Sequence, residues 1–195
     1  MSNSLLTKCT VFVAGFAILT LEIIGFRILL PSVGATMPVW ASVISVTLLG
    51  GVIGYFTGGI IADRTQNKNI LASLVFGAGL FFLAMLPARA VVPVIVSFVG
   101  SYSTSALLSS LMLFLLPILG LSSVITYAIR CSLSSLDTVA RVHGNLYALA
   151  TVGSIAGVFT TSYVLIPNFT MSSIIVGLSA ILIFIAAVIA TQETN

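Results

Sequence analysis

Glu22 is the residue whose type and position most directly suggest chemistry. It lies near the middle of an apolar run over about residues 11–30, where inserting a charged carboxylate into a membrane costs at least ~2.5–3.5 kcal/mol. Such a group is a candidate counter-charge for a cationic substrate or a proton carrier. A buried, hydrogen-bonded structural carboxyl is the other interpretation. Arg27 is about 140° further around a helix, so it is not the obvious partner of Glu22, although we include it in the candidate substrate- or ion-binding site.

A second polar group begins another apolar run. His143, Asn145 and Tyr147 lie close together there, and we take Asn145 and Tyr147 as candidate substrate- or ion-binding residues. Hydrogen bonding between membrane helices is the alternative. His143 is the only histidine in the sequence, and neither a catalytic triad nor metal-ligand spacing is present. We therefore predict no enzyme, no metal site and no cofactor.

The elements that must position these residues are membrane spans. The sequence is 59% hydrophobic and 6% charged, which excludes a soluble domain, and its few basic residues are too scattered for nucleic-acid binding. The partner that this composition requires is the lipid bilayer. Six runs near the ~20 residues that a span needs predict an all-α integral membrane protein, with spans at about 11–30, 38–62, 70–86, 106–129, 146–166 and 172–190.

Residues 90–99 are apolar but short, and they contain Pro93. We predict a short re-entrant or interfacial helix there, because a run of this length does not span a bilayer. With six spans, Lys8, Arg64, Lys68, Arg130 and Arg141 share one side with both termini. The positive-inside rule makes that side cytoplasmic. Residues 1–195 are thus predicted to form one transmembrane domain in the cell (inner) membrane.

Glycines in the second span recur at a spacing of four residues. Gly50, Gly54 and Gly58 lie along one helix face, which predicts either close static packing or a moving contact between helices. The segment 50–57, Gly-Gly-Val-Ile-Gly-Tyr-Phe-Thr, is echoed by 153–160, Gly-Ser-Ile-Ala-Gly-Val-Phe-Thr. This echo favours two repeats of three helices, an arrangement common in transporters.

The link after the second span, Gly59 to Lys68, resembles the loop motif of the major facilitator superfamily. Asp63, Arg64 and Lys68 stand as that motif requires, and the resemblance implies a gating or structural role for them. Gln66 replaces the expected glycine, and Asn67 stands where a basic residue is usual.

A broader resemblance is to the membrane domain of the fused major facilitator superfamily/spermidine synthase proteins. Its residues are Leu21-Glu22-Ile23-Ile24-Gly25-Phe26-Arg27, the pairs Gly58-Gly59 and Asp63-Arg64, and Gly144-Asn145-Leu146-Tyr147-Ala148. The resemblance implies a half-size facilitator-like bundle. A synthase domain would need well over a hundred further residues, and five follow Ala190, so we expect no synthase in this chain.

Two functions remain open at this point. The first is a half-size transport module for a small, cationic, polyamine-like solute, which would need a homodimer or a partner membrane protein to complete its cavity. The second is a non-transporting anchor or regulatory module for a partner such as an aminopropyltransferase.

Overall fold

The computed structural model describes residues 2–132 and 139–192. Within them it contains α1 (Ser2–Val33), α2 (Met37–Arg64), α3 (Lys68–Ala88), α4 (Val92–Val99), α5 (Tyr102–Cys131), α6 (Val139–Thr160), α7 (Ile166–Asn168) and α8 (Met171–Thr191). A 3₁₀ turn (Arg89–Val91) joins α3 to α4, and a π-helical turn (Thr161–Leu165) joins α6 to α7.

The prediction of six helices able to span a membrane is confirmed. Among the described residues, six helical segments have the length and apolar composition to cross a bilayer: Leu5–Val33, Met37–Arg64, Lys68–Val99, Tyr102–Cys131, Val139–Asn168 and Met171–Thr191. Each extends beyond its predicted limits, because helices continue into the polar interface while an apolar run marks only the hydrocarbon part.

Residues 90–99 are helical, and they continue the third span through a single 3₁₀ turn. Pro87 lies inside the last turn of α3, and Pro93 lies in the first turn of α4. Proline has no backbone N–H, but the N–H groups in the first turn of a helix have no partner within that helix, so Pro93 costs α4 no hydrogen bond. The combined path of 32 residues is roughly 48 Å long and exceeds the ~30 Å hydrocarbon core. Gly100, with φ 66°, then reverses the chain into α5.

The bundle is built from three helix pairs: α2 with α5, α1 with α6, and α3 with α8. Each pair joins one helix of the first three spans to one helix of the last three. In the apolar 18-residue stretch of α5, 67% of the residues are buried inside the bundle, whereas in that of the span containing α6 only 22% are buried. The core therefore lies around α5, and α6 lies at the edge of the bundle.

The two glycine segments pack in equivalent ways. A Cβ built on Gly50 would lie 3.2 Å from the carbonyl oxygen of Leu115 in α5, and one built on Gly54 would lie 2.5 Å from that of Leu119. Gly153 and Gly157 meet the carbonyl oxygens of Phe12 and Phe16 in α1 in the same way. The two sets of contacts are related by a shift of 103 residues, which takes Gly50 and Gly54 to Gly153 and Gly157. The same shift takes Phe12 and Phe16 to Leu115 and Leu119. The spans thus form two repeats of three helices, and because three is odd, the repeats are inverted relative to each other.

Candidate functional site

A wide cleft opens at the end of the bundle that carries both described chain ends. We call this the basic end, because Lys8, Arg64, Lys68, Arg130 and Arg141 lie there. The cleft has a volume of about 520 Å³ and lies between α2, α5 and α6; its lining includes Tyr55, Gly59, Asp63, Ile125, Ile129, Arg130, His143 and Tyr147. His143 and Tyr147 are one helical turn apart, with nearly parallel rings whose centroids are 6.2 Å apart.

An ion pair lies at the mouth of this cleft. Arg130 Nε donates to Asp63 Oδ1 at 3.1 Å, and with its amide oriented to this network, the Gln66 oxygen accepts from Arg130 at 3.1 and 3.3 Å. The side chains of Arg130 and Asp63 are 41% and 74% exposed. Exposed pairs contribute only about 0.2–1 kcal/mol, so this contact positions the α2–α3 link more than it stabilises the fold. The Gln66 side chain therefore makes contacts to Arg130 that a glycine at this position could not make.

The α2–α3 link is also bound to α5 by Tyr127. The Tyr127 side chain is fully buried; its hydroxyl accepts from the Asn67 backbone N–H at 2.8 Å and lies 2.8 Å from the carbonyl oxygens of Thr65 and Asn67. Asn67 caps α3 by accepting from Asn69 N–H at 2.8 Å, which accounts for asparagine at this position. Sequence reasoning missed Tyr127. The available signal was a tyrosine one turn before Arg130 at the end of an apolar run.

The glycines predicted for packing divide into two groups. Gly50, Gly54 and Gly58 contact the α5 backbone or side chains, and a Cβ on Gly58 would lie 2.6 Å from Ser123 O. Ser123 Oγ donates to Gly54 O at 3.0 Å and lies 3.1 Å from Thr57 Oγ1. Gly59 instead lines the cleft, and a Cβ there would meet only the Thr126 methyl group, at 3.9 Å. Arg64 and Lys68 are exposed at the basic end.

Asn145 and Tyr147 belong to different clefts. Tyr147 lines the cleft described above, whereas Asn145 lines a second cleft of about 430 Å³ between α1, α5 and α6, with Lys8, Cys131 and Ser132. Two positions along a helix are separated by about 200°, so the side chains diverge. The structure therefore does not bring these two candidates together.

Glu22 lies on a stripe of α1 that faces protein. Ile18, one turn earlier, is 7% exposed, and Phe26, one turn later, stacks on Trp40 of α2 with ring centroids 4.0 Å apart and an interplanar angle of 18°. Glu22 itself is partly buried. Within residues 5–132 and 139–192, no ion pair involves this carboxylate.

Glu22 and Arg27 remain apart from the cleft at the basic end. Arg27 is exposed and lies nearer the opposite end of α1. The four predicted binding residues therefore occupy three places: the second cleft for Asn145, the first cleft for Tyr147, and the far part of α1 for Glu22 and Arg27.

Comparison with protein-family models, curated proteins and solved structures gave no match. In the described residues, no group of three or more His, Cys, Asp or Glu side chains is arranged to hold a metal ion. Among the described residues, the groups available to bind a solute are the aromatic rings and hydroxyls near the clefts and the Glu22 carboxylate, which has no ion-pair partner there.

Proposed function

We propose that this chain is a half-size, facilitator-like membrane transport module for a small cationic solute and that it acts as a homodimer. The observation that carries the proposal is the interlocked packing of two inverted repeats, with clefts at the basic end and close aromatic contact toward the other end. In transporters, inverted repeats of this kind place a site near the membrane midplane and move against one another around it.

A cationic solute is favoured by the Glu22 carboxylate in the first span and by the aromatic rings that line the larger cleft. Glu22 lies well inside a span and has no ion-pair partner in the described part of the chain, so a bound cation would neutralise its charge where water is scarce. Tyr55 and Tyr147 add ring faces to the cleft, and ring faces attract cations within about 6 Å. Asp63 contributes less, because Arg130 already pairs with it.

The proposed homodimer would place a second copy against exposed stripes on the side of the bundle that carries α2 and α6. Leu48, Val52 and Phe56 are 65, 66 and 70% exposed on α2. Ile155 and Phe159 of α6 are 53 and 59% exposed, and Tyr163 in the π-helical turn that follows is 74% exposed. A second copy facing these stripes would complete a cavity that one half-size unit leaves open. Mass photometry in native-lipid nanodiscs should give the mass of two chains, and a monomer that still transports would refute the dimer.

The orientation that accompanies this proposal places the basic end in the cytoplasm. Five Lys or Arg residues lie at that end, whereas Arg89 lies at the other and Arg27 lies within the first span nearer that other end, so the positive-inside rule favours this orientation. The α2–α3 link, with Asp63, Arg64 and Lys68, then forms a cytoplasmic gating element bound to α5. We place α4 at the outer interface, because α3 alone, at 21 residues, is roughly 31 Å long and crosses the hydrocarbon core.

Solute uptake tests the proposal. Purified protein in liposomes should accumulate radiolabelled spermidine or putrescine faster than empty liposomes, while an anionic and a neutral solute of similar size should not enter faster. Equal flux for protein-containing and empty liposomes, across all of these solutes, would refute transport. That result would instead favour a membrane anchor or regulatory module for a partner enzyme.

A further inference from the structure

The three helix pairs suggest which parts of the bundle move together. The α2–α5 arm is held by backbone contact at Gly54 and Gly58 and by the Ser123 hydroxyl. The α1–α6 arm has the equivalent contacts: Ser154 Oγ donates to Gly15 O at 3.0 Å, and Thr161 Oγ1 donates to Thr20 Oγ1 at 2.9 Å. Close backbone packing with interhelical hydrogen bonds makes each arm a rigid unit.

Contact between the two arms differs sharply between the two ends of the bundle. Toward the end opposite the basic end, Gly25 of α1 packs on the ring of Phe114 in α5, and Phe26 of α1 stacks on Trp40 of α2. Toward the basic end, clefts of about 520 and 430 Å³ separate α6 from α5. The seam between the arms is therefore closed at one end and open at the other.

The repeat relation identifies the counterparts of the closed contact. A shift of 103 residues takes Phe26 to Ile129 and Trp40 to His143. Ile129 and His143 both line the larger open cleft. The stacked pair at one end thus has counterparts that line a cleft at the other end, which is the asymmetry expected of repeats that alternate between two arrangements.

We propose that the Phe26–Trp40 stack is a gate, closed in this conformation, and that Ile129 and His143 form the matching gate that closes when the arms rock the other way. The inference rests on the proposed transport function and deepens it. Glu22 lies one helical turn from Phe26 on the same face of α1, so the closed stack covers the candidate carboxylate from that end. Gly34, with φ 87°, lies in the three-residue link between α1 and α2, which joins the two arms at this end.

Distance measurements between spin labels test this gate in liposomes. With Cys9 and Cys131 replaced by serine, one label pair is Ile60→Cys with Ala140→Cys, between the arms at the basic end. Its counterpart 103 residues away in the repeat is Tyr163→Cys with Met37→Cys, at the opposite end. All four positions are exposed. Leu48→Cys with Leu116→Cys reports on the α2–α5 arm alone when labelled chains are diluted with unlabelled parent protein, which suppresses distances between copies.

Trp40→Ala removes the stack, and Trp40→Phe retains an aromatic ring as the matched control. In the alternative conformer the Met37–Tyr163 distance is longer and the Ile60–Ala140 distance is shorter. We expect Trp40→Ala to raise the population of this conformer, relative to the conformer described here, by about 2- to 10-fold, the effect of one stacked aromatic pair. Trp40→Phe should resemble the parent, and the Leu48–Leu116 distance should not change.

Distances at the two ends that stay fixed in Trp40→Ala, or that lengthen together, would overturn the gate. A changed Leu48–Leu116 distance would do so as well, because the arm would not be rigid. This result is separate from the uptake measurement. A bundle that rocks but moves no solute would support the gate and refute transport, whereas uptake with unchanged distances at both ends would support transport and refute the gate.

Discussion

At the scale of single residues, Glu22 decides whether the bundle has a charge-selective site. Glu22→Gln keeps the side-chain shape and removes the charge. We expect the variant to melt like the parent in nanodiscs, while binding of radiolabelled spermidine falls about tenfold or more, equivalent to ~1.4 kcal/mol. A thermal-shift assay and equilibrium binding on the same preparation provide both readouts.

The matched control for Glu22 is Glu193→Gln, a carboxylate located beyond the last span in the sequence. It should leave binding unchanged. If Glu22→Gln binds spermidine as well as the parent, the carboxylate is not the counter-charge. If it binds normally but melts at a lower temperature, Glu22 is a structural carboxyl.

Tyr127 is the residue that holds the α2–α3 link against α5. Tyr127→Phe removes the hydroxyl and leaves the Asn67 N–H without that partner, so we expect a loss of about 1–3 kcal/mol in unfolding free energy and faster hydrogen exchange at the Asn67 amide. Tyr102→Phe, at a side chain 65% exposed, is the control and should be neutral. Unchanged exchange at Asn67 would contradict this role.

At the scale of helices, the glycine contacts set the spacing of the arms. Gly54→Ala places a methyl group 2.5 Å from Leu119 O and 2.6 Å from Ser122 Cβ, so α2 and α5 must separate. We expect a loss of about 1–3 kcal/mol, typical of overpacking, measured as thermal stability in nanodiscs. Gly77→Ala is the control, because nothing lies within 4 Å of a Cβ there. Equal stability of the two variants would show that α2 and α5 are not closely packed.

The spans were predictable because a bilayer imposes its thickness on sequence. The ends of the helices were not predictable. Thr7 and Lys8 are part of α1 although they precede the apolar run, and the 3₁₀ turn at Arg89 connects α3 directly to α4. The echo of 50–57 in 153–160 predicted the repeats. It did not predict that each glycine segment packs on the other repeat's first helix, because such contacts depend on tertiary arrangement.

The candidate site was less predictable than the fold. Proximity in sequence grouped Asn145 with Tyr147, but helical rotation directs them into separate clefts. The aromatic contact between Phe26 and Trp40 joins residues of two helices and has no signature in local spacing. Glu22 could be proposed from the sequence because a carboxylate in the middle of an apolar run carries a cost in lipid that its position in the run already indicates.

At the scale of the whole molecule, the account depends on two three-helix repeats with opposite orientations in the membrane. The α1–α2 link and the beginning of α6 must then lie on opposite sides. Thr36 and Arg141 mark these two places, and both are exposed. Every other proposal, including the gate and the cavity completed by a second copy, requires this arrangement.

Labelling of single cysteines with a membrane-impermeant maleimide tests it directly. In a chain with Cys9 and Cys131 replaced by serine, Thr36→Cys should react in right-side-out vesicles and be protected in inverted ones. Arg141→Cys should show the reverse, because we propose that the basic end faces the cytoplasm. Labelling of both cysteines from the same side would contradict the inverted repeats, and with them the proposed transport module.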